Sequence, residues 1–462
     1  MLDKFFKLPE NGTTVRTEVL AGLTTFLTMS YIIVVQPAVL SGNMFDHPTG
    51  MDFGAVMTAT CLSAALATAI MALYARYPIA QAPGMGENFF FVFSAIPAAA
   101  AAGFANAWPV ALGTVFISGA LFLILSACGV REMIFNAISP SLKHGIAAGI
   151  GLFIAFIGLQ NTGLIIKDPG TAVRLNAHFS SPDLLLFFAG LIITVALSAR
   201  RVRGAILWGI IATALLAAAC KRFMAHPPAD SMLAQRFAFP AGIVATPPSL
   251  APTFLKIGLT HALSAKMAPF ILVFLFMLMF DAIGTLIGVC EQAGLMRENQ
   301  LPRARQAMIS DAVGTVAGAA MGTSTVTSFI ESAAGVEQGG RTGLTALVVA
   351  GLFLLALFFS PLARAAGSYP PITAPALVMV GAMMLRNAAK IAWDDPAESF
   401  PAFLTLVGIP LSYSIADGLA LGFMAEPLIK VCAGRGREVG WLTYLLAALL
   451  LAYFIFIRAR MP

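Results

Sequence analysis

The stretch Gln81-Ala82-Pro83-Gly84-Met85-Gly86-Glu87-Asn88-Phe89-Phe90-Phe91 (81–91) decides the fold. It lies in an apolar region, yet Pro83, Gly84 and Gly86 break any helix that would span there. Backbone groups freed at membrane depth survive only where protein buries them or a cavity hydrates them. The apolar run that follows fits a half-helix whose N-terminus points unpaired N–H groups at whatever sits in the break. Asn88 adds a side chain that both donates and accepts, and Glu87 adds a carboxylate facing the cavity or a gap. A kinked helix capped by Asn88 is the plainer alternative.

Outward from that stretch, the composition demands a lipid solvent. Of 462 residues, 59% are hydrophobic and 11% charged, against about 25% charged in soluble domains. The apolar runs are continuous and about 20 residues long, enough for a helix to cross ~30 Å of hydrocarbon, and do not alternate as barrel strands do. The net charge of +6 is dispersed over loops, which suits membrane orientation and not a nucleic-acid partner. Cys61, Cys128, Cys220, Cys290 and Cys432 lack paired spacing and read as small buried hydrophobes. The opening Met1–Val19 is polar and reads as no cleavable leader. With no GxxxxGK[ST], HExxH or CxxC pair, no ATP drive, metal or cofactor is expected, and no enzyme constellation emerges.

The fold class expected is an all-α polytopic membrane protein of fourteen segments. They lie at 18–41, 53–75, 79–100, 107–128, 139–160, 182–199, 204–220, 267–290, 305–320, 323–337, 342–361, 370–387, 401–428 and 440–458. The polar stretch 221–266 reads as a long surface loop with some amphipathic helix, hinging two halves of seven. Segments 79–100 and 323–337 are broken or short in matching positions, and Ser139-Pro140 and Pro370-Pro371 each open a fifth segment. Such a pattern predicts an inverted repeat. Lys4, Lys7 and Arg16 place the N-terminus in the cytoplasm, as do Arg76, Arg200, Arg203, Arg341, Arg386 and Lys390 in alternate loops. On this count the basic 430–437 loop falls outside, so either 401–428 is not a simple span or the rule fails there.

The counterpart stretch reads Gly322-Thr323-Ser324-Thr325-Val326-Thr327-Ser328-Phe329-Ile330-Glu331-Ser332. Its alternating Thr and Ser predict an extended strand and then a short helix. Glu331 falls where a carboxylate is costly unless paired, hydrated or protonated, and so do the residues of Phe280-Asp281-Ala282-Ile283-Gly284-Thr285. Gly284 and Gly288 predict a close helix approach. Asp281 and Glu331 are the candidate pair for substrate and proton, because carboxyls in such surroundings can exchange a proton within the physiological range. Glu291, Asp311 and Asp417 are secondary candidates, as readily read as structural hydrogen-bonders.

These residues resemble the AzgA-like purine permeases, a branch of the nucleobase permease superfamily that also holds xanthine and uracil permeases. The resemblance rests on Ala82–Asn88 (APGMGEN), Phe280–Val289 (FDAIGTLIGV), Gly322–Ala346, Ile372–Met384 (ITAPALVMVGAMM) and Ile409–Gly422 (IPLSYSIADGLALG), in order along the whole chain. It implies short strands in segments 3 and 10. It also implies a core domain (1–130 and 267–361) and a gate or dimerisation domain (131–220 and 362–462), joined by the 221–266 loop. The implied protein is a homodimer in the bacterial inner membrane, importing adenine, guanine or hypoxanthine by proton symport with elevator-like movement. Asp281 and Glu331 would bind the base or carry the proton, and Asn88 would position it. Backbone groups near Phe89 and Ile330 would bond the ring, while Thr285, Ser328 and Phe329 would complete the site. Two departures stand out: Phe89 follows Asn88 where the family commonly has Ala, and Leu278 stands where a polar residue is frequent. The alternatives are a same-fold carrier of uracil, xanthine or a small anion, or a passive channel.

Overall fold

Apolar runs fold as helices here wherever no Pro or Gly cluster intervenes. The computed structural model describes residues 5–45, 48–128, 139–223, 231–295, 301–452 and 454–455. Helices run over Val15–Met29 (α1), Ile32–Leu40 (α2), Phe53–Ile70 (α3), Met85–Phe90 (α4), Ile96–Ala101 (α5), Ala107–Cys128 (α6) and Pro140–Asn161 (α7). They continue with Pro182–Ala199 (α8), Ala205–Phe223 (α9), Met232–Gln235 (α10), Leu259–Ala262 (α11), Ala268–Gln292 (α12) and Ala304–Met321 (α13). The rest are Ser332–Glu337 (α14), Gly343–Ala356 (α15), Ser360–Gly367 (α16), Pro370–Leu385 (α17), Pro396–Ser412 (α18), Ile415–Cys432 (α19) and Trp441–Ala452 (α20). Short strands are Gln81–Pro83 (β1), Ile165–Asp168 (β2), Ala172–Leu175 (β3) and Val326–Ser328 (β4). Among the described residues, nine helical stretches are long and apolar enough to cross a membrane. The chain is a mostly helical, polytopic membrane protein. α7 and α17 begin at the prolines expected to open them, where the missing N–H costs nothing.

Contacts divide the chain into two units. The first holds Met1–Gly84, Ile157–Leu255 and Asp281–Met379. In it α15 packs against α1 and α3, α13 packs against α3, and α8 packs against α9. Glu18, buried in the first turn of α1, accepts from Thr342 Oγ1 at 2.8 Å, Thr345 Oγ1 at 2.6 Å and Arg341 N–H at 2.9 Å. It thereby satisfies donors at the start of α15 that would otherwise stay unpaired.

The 221–266 stretch, expected as a surface loop, is fastened down where described. Asp183 accepts from Tyr369 Oη at 2.6 Å and from the N–H groups of Met232 and Leu233, both at 2.9 Å. Beyond α10, Thr58 Oγ1 donates to Pro248 O at 2.9 Å, Leu255 N–H to Ala320 O at 2.7 Å and Thr253 Oγ1 to Met321 O at 2.9 Å. Gly322 ends α13 at φ +99°, and a Cβ there would meet Thr253 Cβ at 2.2 Å. Gly322→Ala therefore adds about 1–2 kcal/mol of left-handed backbone cost and about 1–3 kcal/mol of overpacking. A fall of several degrees in the melting temperature of the solubilised protein is expected; an unchanged melting temperature contradicts this contact.

The second unit holds Met85–Phe156, Lys256–Phe280 and Val380–Pro462. Here the expected single segment 401–428 is two helices, α18 and α19, separated by Tyr413 and Ser414. They fold back on each other: a Cβ on Gly418 would meet Ile409 N at 2.3 Å and one on Gly422 would meet Thr405 Oγ1 at 1.8 Å, so both positions need glycine for the close approach. The turn brings the 430–437 loop back beside the start of α18. Arg435 Nη1 pairs with Asp395 Oδ2 at 2.5 Å, and Lys430 Nζ with Glu398 Oε1 at 2.6 Å. The Arg435 guanidinium holds the Asp395 carboxyl below the usual carboxylate range. Segment 401–428 is therefore not a simple span, the first of the two alternatives left by the sequence count. Cys128 and Cys432 are exposed, contrary to the expected burial of all five cysteines. The surroundings of Gly288, the side chain of Glu291 and part of segment 440–458 lie outside what is described.

Candidate functional site

Two short strands from distant parts of the sequence pair inside the first unit. β1 and β4 pair antiparallel, with Gln81 opposite Ser328, Ala82 opposite Thr327 and Pro83 opposite Val326. Gly84 N–H donates to Thr325 O at 3.1 Å and Phe329 N–H to Ala80 O at 3.0 Å, extending the pair at both ends. Each strand is also clasped by a hydroxyl from the helix before it. Thr68 Oγ1 accepts from Gln81 N–H at 2.8 Å and donates to Gln81 O at 3.0 Å. Thr315 Oγ1 accepts from Val326 N–H at 3.1 Å and donates to Val326 O at 2.8 Å. A three-residue strand leaves backbone groups unmatched by a neighbour, and these two threonines supply the missing partners.

Side chains lock the pair. Gln81 Nε2 donates to Asp311 Oδ1 at 2.5 Å, Ser328 Oγ donates to the same oxygen at 2.9 Å, and Ser310 Oγ donates to Gln81 Oε1 at 2.9 Å. Gln36 Nε2 donates to Thr323 Oγ1 at 2.9 Å and Ser324 Oγ at 3.1 Å. Gln81, Asp311, Ser310 and Gln36 are all fully buried.

Glu331 stands at the start of α14, where Tyr31 Oη donates to its Oε1 at 2.8 Å. Asp281 lies beside Thr327 and within Coulombic reach of Glu331. The structure therefore brings Asp281, Glu331 and Ser328 to one strand. Asp281 and Gly284 are exposed on α12, Ile330 is 49% exposed, and a Cβ on Gly284 would meet nothing within 4 Å. Gly284 thus faces open space and not the close helix contact expected of it. Thr285 and Phe329 are buried. Ile330 O already accepts from Ala333 N–H at 3.0 Å. Thr325 Oγ1 is buried without a hydrogen-bond partner among the described residues.

Asn88, Phe89 and Glu87 belong to the second unit, where α4 holds all three buried. Asn88 Nδ2 lies 3.9 Å from Met85 Sδ. Phe90 packs on Phe274 and Phe270 with centroids 4.7 and 5.9 Å away. The helix widens to a π turn over Phe91–Ala95, a feature common at functional sites. The sequence reading passed over Gln81, Thr68, Thr315 and Tyr31. Only Gln81 carried a signal, as the polar residue directly before the break.

A helical membrane protein with an antiparallel strand pair inside it, and two acids beside the second strand, has the build of a membrane transporter. Residues 16–421 match the Permease family (Xan_ur_permease), and the chain belongs to that family. It is 46% identical to the guanine/hypoxanthine permease PbuG of Bacillus subtilis, covering 98% of this chain and 99% of that one. It is 40% identical to the adenine permease AdeQ of Escherichia coli, over 97% of this chain and 95% of that one. The resemblance drawn from the motifs to nucleobase permeases therefore holds over nearly the whole length. The fold is also similar to the transmembrane domain of the cyanobacterial bicarbonate transporter BicA. The TM-score is 0.61 at 14% identity, covering 88% of this chain and 97% of that chain.

Proposed function

We propose that the protein imports purine nucleobases, namely adenine, guanine or hypoxanthine, by proton symport. The observation that carries this reading is the near-full-length likeness to permeases named for guanine, hypoxanthine and adenine. The site chemistry supports it. A purine edge presents N–H donors and ring acceptors. Asp281 and Glu331 suit the donors, and either can carry the proton. Asn88 suits a mixed edge, and Phe89 or Phe329 suits the flat face. Backbone groups near Ile330, with Ser328, Thr285 and Glu87, are further candidates on the same reading. A small-anion cargo fits poorly, because residues 81–90, 281–286, 310–315 and 322–332 contain no Lys or Arg.

The finer architecture belongs to the same proposal. It has fourteen segments as two inverted sevens, a core of 1–130 and 267–361, and a gate or dimer-forming part of 131–220 and 362–462. It works as a homodimer in the bacterial inner membrane, with the N-terminus in the cytoplasm. The hydrogen bonds across β1 and β4 favour moving the pair as one rigid piece, as elevator-type access requires, over opening it.

The test is uptake of radiolabelled adenine, guanine, hypoxanthine, xanthine and uracil in a strain lacking its own permeases. Saturable purine uptake that collapses with a protonophore is expected. Linear, unsaturable flux would favour a channel, and uptake of uracil alone would reassign the cargo.

A further inference from the structure

The turn between α18 and α19 is built on an unusual residue. Tyr413 has φ +53° and ψ +27°, a left-handed conformation that Gly or Asn adopts at lower cost. Such positions persist in bulky residues when the side chain is held by its surroundings and needed there. Its ring is surrounded by Phe153, Phe93 and Phe156, with centroids 5.3, 5.6 and 6.2 Å away and planes 86°, 86° and 73° to its own. Near-perpendicular rings on several sides fix its orientation. Yet the residue is 40% exposed, and its hydroxyl has no hydrogen-bond partner among the described residues. Phe93 in turn stacks on Phe89, centroids 6.0 Å apart and planes 6° apart. One aromatic column therefore runs from the broken third segment to the tip of the α18–α19 turn, entirely within the second unit.

We propose that Tyr413, braced by Phe93 and Phe153, is a stacking subsite for the flat face of a planar heteroaromatic base, and that its hydroxyl bonds a polar group on the ring edge. The inference rests on the nucleobase reading and assigns a specificity role to a turn that reading leaves unused. Packing alone would be met by Leu or Phe, neither of which brings an unpaired hydroxyl. Stacking supplies affinity for any planar base, and the phenolic hydroxyl, which can donate or accept but donates more strongly, favours a carbonyl over an amino group at the ring edge.

The wild-type uptake panel first shows which base is carried, so failure of the purine reading is seen before any variant is made. Tyr413→Asn then keeps a residue that tolerates the left-handed turn while removing the ring. Its KM for the carried base is expected to rise about tenfold in protein that reaches the membrane, with Vmax per transporter near wild type and a lower melting temperature from the lost ring packing. Tyr413→Phe keeps the packing, and the KM ratio between hypoxanthine and adenine, which differ by a carbonyl or amino group and by the hydrogen on the adjacent ring nitrogen, is expected to shift threefold or more. An unchanged KM in Tyr413→Asn overturns the stacking role. If that variant fails to reach the membrane, an unchanged KM ratio in Tyr413→Phe overturns the proposal by itself.

Discussion

Glu331→Gln is expected to abolish accumulation of the labelled base while leaving the protein in the membrane at normal amount. Glutamine has nearly the same shape, and its carbonyl oxygen still accepts from Tyr31 Oη, so the start of α14 keeps its packing. What goes is the charge. A charged hydrogen bond to a ligand is worth about 1.5–3 kcal/mol, so affinity should fall on the order of 10–100-fold. On the proposed proton symport, loss of the exchangeable proton would remove uphill transport altogether. Asp281→Asn, on α12 beside Thr327 of β4, is expected to give a comparable loss. Exchange of labelled for unlabelled base across vesicles separates the roles. A residue that only carries the proton leaves exchange intact, and a residue that binds the base abolishes it. Normal accumulation by Glu331→Gln would remove this residue from the site.

Asp311→Ala is expected to do more damage to the scaffold than either site substitution. It strips the acceptor from Gln81 Nε2 and Ser328 Oγ at once, and both groups are fully buried or nearly so. Gln81 Nε2 and Ser328 Oγ keep only the long 3.4 Å bond to each other, and an under-satisfied buried polar group costs about 1–3 kcal/mol, so a loss of about 1–3 kcal/mol is expected. The strand pair loses its tie to α13, and both melting temperature and uptake should drop. Asp311→Asn keeps one acceptor oxygen and should recover much of the stability. Equal melting temperatures for Asp311→Ala and wild type would show that the strands are held by their backbone and threonine clasps alone.

Local punctuation made the two broken segments legible. Pro83 and Gly84 stop a helix by their own chemistry, and the alternating Thr and Ser of 323–328 read as a strand without any partner in view. The acids Asp281, Glu331 and Asp311 stood out because carboxylates are rare in apolar runs. Their division of labour was hidden. Asp311 holds strands because Gln81 lies 230 positions away in sequence, and no local pattern announces that meeting. Tyr31, Thr68 and Thr315 look like ordinary polar residues inside helices until their partners arrive. The α18–α19 turn was missed for a related reason: a bulky residue in a left-handed conformation gives none of the Gly or Asn signal that normally marks a helix end. The 221–266 stretch reads as a surface loop because its anchors, Asp183, Thr58 and the end of α13, lie on other segments.

The clasp of Thr68 on Gln81 has a consequence in time. Gln81 and Ser328 are 247 residues apart, and at about 5–20 residues per second a ribosome needs about 12–50 seconds to deliver the second after the first. Throughout that wait β1 has no neighbour. Thr68, made 13 residues before Gln81, already occupies both the N–H and the C=O of that residue. The nascent first half can thus enter the bilayer with part of its unpaired strand already satisfied, and hold it in shape until the second half is born.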